Sequence, residues 1–239
     1  HKRRDPGGSG RSRSPYCTCC HRSIAQVETF SCEIAMAVVT SETESQEPGT
    51  RERLLRAAEE VMREGGWGVA SVVAIAERAG VAAGTLYRHF SSKAELFVEV
   101  FRAVSEREVA AMHAAAAQAG GVAERFDAVV ATYAGRALRN RRLAWALVYE
   151  PVDPLVDAER LAYRRDYREH MAGLLREGIE AGVIPPQDTD LAAAAVVGII
   201  AETLVGPLSP VAGDTASEKE IVAAIVSFCR RVVGLADQG

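Results

Sequence analysis

Thr85, Tyr87, Arg88 and His89 lie within five residues of one another and bring together a hydroxyl, a phenol, a guanidinium and an imidazole. Those are the groups that read base edges and phosphates in a DNA groove. Ser71 before them and Lys93 after them add a hydroxyl and an ammonium suited to phosphate oxygens. To act together they need rigid support. Val72, Ile75, Ala76 and Ala79 recur at helical spacing behind Ser71, whose hydroxyl suits an N-cap. Gly80 then offers the left-handed C-cap that turns a chain within three or four residues. A second short helix over 83–90 points Leu86 and Phe90 inward, and Ser92-x-x-Glu95 is a capping box that starts a third. The unit reads as a DNA-binding helix-turn-helix. Two amphipathic helices joined by glycine also occur in helical proteins that never touch DNA, and Tyr87 and His89 have a second reading as packing residues.

The stretch AGVAAGTLYRHFSSKAELF resembles the signature of the tetracycline-repressor (TetR) family of bacterial regulators, with Gly80, Gly84, Thr85, Leu86, Tyr87, His89, Phe90, Ser92, Lys93 and Leu96 on its pattern. The resemblance is close over residues 50–97 and extends to the rest only in layout. It implies a homodimer that sets two reading helices in successive major grooves of a palindromic operator on double-stranded DNA, released by a small-molecule effector. Repression is the family's usual habit. The DNA-binding residues it implies are Ser71, Ala82, Ala83, Thr85, Tyr87, Arg88, His89 and Lys93. At Ala82 and Ala83 the chain departs from the commoner pattern, which often has a serine or threonine and a lysine there. Methyl groups that can meet thymine replace polar contacts.

Length and composition set the frame. With 239 residues, 48% of them hydrophobic, the chain can build one large or two small domains around a substantial core. Abundant alanine and leucine with few aromatics favour helix. No uninterrupted apolar run reaches eighteen residues, and the nearest, 191–201, is about half the length of a membrane span; the resemblance implies a bacterial protein acting in the cytoplasm. The net charge of −4 opposes DNA as a whole. Between 71 and 93, however, Arg78, Arg88 and Lys93 face one carboxylate, Glu77, whereas 153–190 is rich in Asp and Glu. A local cationic face on an acidic body is compatible with DNA.

The expected architecture is all-α: a three-helix DNA-binding domain at 50–97, joined by one long helix to a helical ligand-binding and dimerisation domain at 98–239. Residues 1–49 differ in kind, with six Lys or Arg against one Asp before residue 23 and no apolar period. They read as disordered: a basic arm, a targeting segment, or sequence upstream of a natural start at Met36. Cys17, Cys19, Cys20 and Cys32 lie there, and the C-T-C-C-H run lacks the second ligand pair of a zinc site. Cys229 reads as a small buried hydrophobe. From Thr50, a helix cap, helices are expected to about 65, then 92–118, 122–139, 141–149, 155–181, 188–205 and 215–236, punctuated by Gly and Pro. The last two are apolar over more than one face, which a buried core alone could account for; the resemblance implies that they pair with their counterparts in a four-helix dimer interface.

In the second domain, Met112, Phe126, Tyr133, Trp145, Tyr149, Tyr167 and Met171, with Tyr163, are candidates to line an effector cavity, with His113, Arg136 and His170 as polar members and Glu150 paired with Arg136 to set polarity. For any single one, ordinary core is the competing reading. No catalytic residue, cofactor or metal is expected. Glu-x-x-His pairs, a P-loop, G-x-G-x-x-G, H-E-x-x-H and G-x-S-x-G are all missing between 50 and 239. The alternative to a regulator is a helical ligand-binding protein without operator-specific DNA binding.

Overall fold

The computed structural model describes residues 49–211 and 216–236. The expected disordered extension, apart from Gly49, and its cysteine cluster lie outside the described residues. Nine helices and no strand occur among the described residues: α1 (Thr50–Gly65), α2 (Val72–Arg78), α3 (Ala83–His89), α4 (Lys93–Gln118), α5 (Val122–Arg139), α6 (Arg141–Val148), α7 (Pro154–Glu180), α8 (Thr189–Leu208) and α9 (Glu218–Val233).

Local chemistry explains most boundaries. The Ser71 hydroxyl accepts the Ala74 N–H at 3.1 Å and starts α2. Gly80, at φ +66°, ends it: its N–H donates to the Glu77 carbonyl and the Val81 N–H to the Ala76 carbonyl, the paired bonds of a Schellman turn. Ser92 caps α4 by accepting the Glu95 N–H at 3.0 Å, but the Glu95 carboxylate returns to the Ser91 N–H and hydroxyl rather than to Ser92. Those bonds hold the Glu95 carboxyl below its ordinary pKa. Asp188 caps α8, and Ser217 with Glu220 forms a complete capping box on α9.

Two expectations are corrected. Thr50 is not a cap but the first residue of α1, with Gly49 in the cap position and its carbonyl taking the Arg53 N–H. The other correction lengthens α8, which does not stop before Gly206 and Pro207 but runs to Leu208. Leu204 and Leu208 are both buried there, and the Ser209 N–H closes the turn on the Val205 and Gly206 carbonyls. A proline in a last turn forfeits one bond and the buried leucines outweigh it. At this length α8 is apolar and long enough to cross a bilayer, more than the 191–201 run implied. It nevertheless packs among α5, α6, α7 and α9 and buries Ala192, Ala193, Val196 and Ile200.

Two apolar cores result. The first joins α1, α2, α3 and the first half of α4 around Leu54, Met62, Ile75, Leu86, Phe90 and Leu96, and takes in Leu143, Ala146 and Leu147 of α6. The second joins α5, α7, α8 and α9 around Phe126, Val130, Leu138, Leu175, Val196 and Leu204. Twenty-six residues of α4 make a rod of about 39 Å that begins in the first core and lies along α5 and α7.

Two consequences are measurable. A Cβ added at Gly80 meets nothing within 4 Å, so Gly80→Val strains only the backbone. A β-branched residue held at φ +66° should lower stability by about 1–3 kcal/mol in chemical denaturation, with Gly80→Asn losing less. Cys229 is fully buried and its thiol is pushed up to about 11 by burial. In the native chain at pH 8 the peptide carrying Cys229 should escape iodoacetamide, and in denaturant it should alkylate fully, as read by mass spectrometry.

Candidate DNA-reading head and ligand cavity

α3 is two turns long and divided sharply. Leu86 and Phe90 are completely buried, while Tyr87, Arg88 and His89 are exposed and Thr85 is half-buried. With Tyr87 57% exposed, the packing alternative for this side chain has no support. Ala82, Ala83 and Gly84 are exposed at the start of the helix, where they add no polar group. Arg88 forms no ion pair among the described residues, so its charge is available to a partner.

Arg78 differs. Its guanidinium pairs with Glu64 at 2.8 Å and Glu60 at 3.3 Å on α1, an arrangement that raises the arginine pKa and lowers that of Glu64. The cationic excess counted along 71–93 is therefore smaller on the surface than in the sequence. Lys93, in the first turn of α4, lies with its Nζ 4.9 Å from the centre of the Phe97 ring, and burial lowers its pKa. A cation there opposes the helix dipole, so it gives the fold little. Arg51, not singled out by sequence, stands over the Phe90 ring at 5.0 Å beside the end of α3 and pairs with Glu99.

The second feature is a cavity of about 380 Å³ walled by α4, α5, α6, α7 and α8. This lies within the range of small-molecule sites. Met112, His113, Tyr133, Arg136, Tyr149, Tyr167, His170 and Met171 all line it. Phe126 and Trp145 do not. Phe126 points into the second core, fully buried, and Trp145 packs at that core's edge against Tyr149, ring centres 5.0 Å apart. Glu150 and Arg136 do not meet either. Arg136 pairs with Glu108, whereas Glu150 accepts from Arg142 and from the Trp67 N–H.

The lining divides by chemistry. Val104, Leu143, Leu147, Ile200 and Leu204 make an apolar wall; around it Arg63 and Arg107 pair with Glu59, Arg136 pairs with Glu108, Arg160 lies 4.0 Å from Asp157, and Arg164 adds a further cation. Tyr133 and Tyr167 meet edge to face at 5.9 Å, and the Tyr149 hydroxyl donates to the Ala201 carbonyl. Burial raises the pKa of all three phenols, which stay neutral hydrogen-bond donors near pH 7. His113 and His170 face each other across α4 and α7 with ring centres 5.0 Å apart, and both are exposed. More of this wall is periodic in the sequence than the aromatic, histidine, methionine and Arg136 positions named above. Arg160, Tyr163, Arg164, Tyr167, His170, Met171 and Leu174 recur at three- and four-residue steps on one side of α7, and Phe101, Val104, Ser105, Glu108 and Met112 do so on α4. The charged members Glu108, Arg160 and Arg164 carry the same periodicity as the aromatic ones.

A capped helix-turn-helix carried on a long helix that also walls an effector-sized cavity defines a ligand-responsive transcriptional regulator of the helix-turn-helix class. The profile of bacterial regulatory proteins of the tetR family matches residues 54–100, and that of the tetracyclin repressor-like C-terminal domain matches 119–204. The chain belongs to the TetR family. It is similar to the fatty acid metabolism regulator protein of Bacillus subtilis (strain 168), 26% identical over 155 residues that cover 64% of this chain and 80% of that protein. It is also similar to the HTH-type transcriptional repressor KstR of Mycolicibacterium smegmatis, 36% identical over 97 residues, 41% of this chain and 48% of the repressor. Among solved structures, the regulator FadR from Bacillus subtilis in complex with stearoyl-CoA shares the fold, with a TM-score of 0.64, 24% identity and coverage of 77% of this chain and 98% of that one. A TetR-family regulatory protein from Rhodococcus RHA1 aligns with a TM-score of 0.63 and 25% identity over 80% of this chain and all of its own.

Proposed function

We propose that the chain is a homodimeric repressor acting in the bacterial cytoplasm, that it binds a palindromic operator through α3, and that an effector with a long apolar body and an anionic head releases it. The observation that carries the reading is the pairing of an exposed reading face on α3 with a cavity walled by α4, the long helix that starts four residues after α3 ends. Tyr87, Arg88 and His89 face outward from α3 while Phe101, Val104 and Met112 of α4 wall the cavity. Thr85, Tyr87, Arg88 and His89 are assigned to the groove, Ser71 and Lys93 to phosphates, and the Ala82 and Ala83 methyls to thymine contact. The domain division at 50–97 and 98–239 belongs to this reading, with the boundary inside α4.

Dimerisation is assigned to α8 and α9. Leu191 is 69% exposed, Phe228 47% and Val232 39%, an amount of open apolar surface on two adjacent helices that an isolated chain gains nothing by presenting. An apolar wall with five arginines and three carboxylates around it, an excess of cations, fits an acyl chain joined to an anionic head. Stearoyl-CoA, an acyl-CoA, is the ligand in the Bacillus subtilis FadR structure, and one relative is named a fatty acid metabolism regulator protein. An acyl-CoA that favours dimers with badly spaced reading helices would shift the population off DNA. The test is a mobility shift on DNA flanking the chain's own gene, with and without stearoyl-CoA. Retarded DNA that stearoyl-CoA frees is expected. A chain that binds stearoyl-CoA yet never retards that DNA would instead be the helical ligand-binding protein without operator recognition.

A further inference from the structure

The turn between α1 and α2 and the far end of α6 share one set of hydrogen bonds. Arg160, on α7, donates from Nε to the Leu147 carbonyl at 2.6 Å, from Nη2 to the Ala146 carbonyl at 2.7 Å and from Nη1 to the Glu150 carbonyl at 2.8 Å. The first two are carbonyls that a helix end leaves without an internal partner, so the guanidinium closes α6. The Ala146 carbonyl takes a second bond, from the indole Nε1 of Trp67. The Glu150 carboxylate accepts the Trp67 backbone N–H at 2.8 Å together with the Arg142 guanidinium, and Arg142 donates onward to the Gly65 carbonyl.

The turn is fitted closely against this end of α6. Gly66 has φ +78°, and a Cβ on it would run into Arg142 and Glu150. The Trp67 ring packs edge-on against Phe97 at the root of α4, with centres 4.4 Å apart. Residues 65–67 thus anchor to α6 the end of α1 and the start of the segment that leads to Ser71, the cap of α2. On its other side α6 presents Leu143, Ala144 and Leu147 to the cavity, and Arg160 lines the same cavity. The three acceptors of Arg160 are neutral carbonyls, and its nearest carboxylate, Asp157, is exposed at 4.0 Å.

We propose that Arg160 is the coupling residue of this regulator, the side chain that holds to α7 the end of α6 that Trp67, Arg142 and Glu150 in turn tie to the α1–α2 turn. It is a positioning residue. An effector that moves α6, or that takes hydrogen bonds from Arg160 for itself, frees the turn and lets α2 and α3 change pitch. Charge-assisted bonds to an anion are stronger than bonds to neutral carbonyls, which favours such a transfer. The proposal rests on the effector-released reading given above, but its first test needs neither effector nor operator.

Hydrogen–deuterium exchange of the full chain reads the clamp directly, because the Trp67 N–H is one of its bonds. Arg160→Gln is expected to speed exchange at residues 65–70 and 146–150 by about tenfold while α5 and α8 keep their protection, with Arg160→Lys in between. Faster exchange at 146–150 with 65–70 unchanged would overturn the coupling, and so would an even rise through α5 and α8 or no change anywhere. Should Arg160→Gln fail to fold, Trp67→Phe removes the indole donation together with part of the buried ring that packs on Phe97, and should loosen 146–150 from the opposite side; unchanged exchange there would also overturn it. On the DNA flanking its gene, Arg160→Gln should bind about tenfold more weakly than the parent chain. If the parent itself ignores that DNA, the operator reading fails and the exchange result still decides the clamp.

Discussion

Phe228→Glu is expected to leave the chain folded, turn the dimer into a monomer and weaken operator binding by at least about a hundredfold, roughly 3 kcal/mol. Phe228 is 47% exposed, with Arg231 stacked over its ring at 5.7 Å, so its replacement opens no cavity in either core. A carboxylate there is well solvated in a monomer. In a two-fold interface built on α8 and α9 it would be stripped of water and brought near its own copy, a double penalty. The loss on DNA follows because a single α3 contacts only a few base pairs and the palindrome gains its affinity from two. Sedimentation velocity reports the mass, circular dichroism the fold and anisotropy the affinity. A variant that stays dimeric and binds normally would move the interface elsewhere on the surface.

The second large effect belongs to the cations of the reading head. Arg88→Ala is expected to cost about 1–3 kcal/mol of operator affinity if the guanidinium reaches a base, and to relax preference at that position. Lys93→Ala should weaken specific and random DNA alike and reduce the salt slope by about one per site. Both losses count twice in a dimer. Arg78→Ala supplies the control. Its guanidinium is engaged by Glu64 and Glu60, so the change should lower stability slightly and leave the salt slope as it was. A salt slope that follows Arg78 and ignores Arg88 and Lys93 would overturn the assignment of the face.

The contrast between those arginines shows where the sequence was legible. The helix-turn-helix depends on signals within a few residues of each other: Ser71 as a cap, Gly80 in the left-handed region, Leu86 and Phe90 on one side of a two-turn helix. Each can be read locally, and each stands where local chemistry puts it. Arg78 could not be read in that way, because its partners lie fourteen and eighteen residues upstream on another helix. The cavity falls in between. One side of α7, from Arg160 to Leu174, was written in three- and four-residue steps, yet which helices close on it is a matter of tertiary packing. Phe126 and Trp145 illustrate the limit, since a large aromatic on a helix fills a core or lines a cavity with the same local pattern. Glu150 illustrates it again. It was expected to set ligand polarity with Arg136, and it instead holds Trp67, eighty-three residues away.

Fluorescence anisotropy on labelled DNA flanking the gene, at fixed salt, measures directly the proposed link between the reading head and the cavity. The chain should bind this DNA at least about a thousandfold more tightly than a scrambled duplex. Saturating stearoyl-CoA should then weaken operator binding at least about tenfold, and by reciprocity operator DNA should weaken stearoyl-CoA binding by the same factor. Operator affinity that stays constant while stearoyl-CoA occupies the cavity would contradict that link.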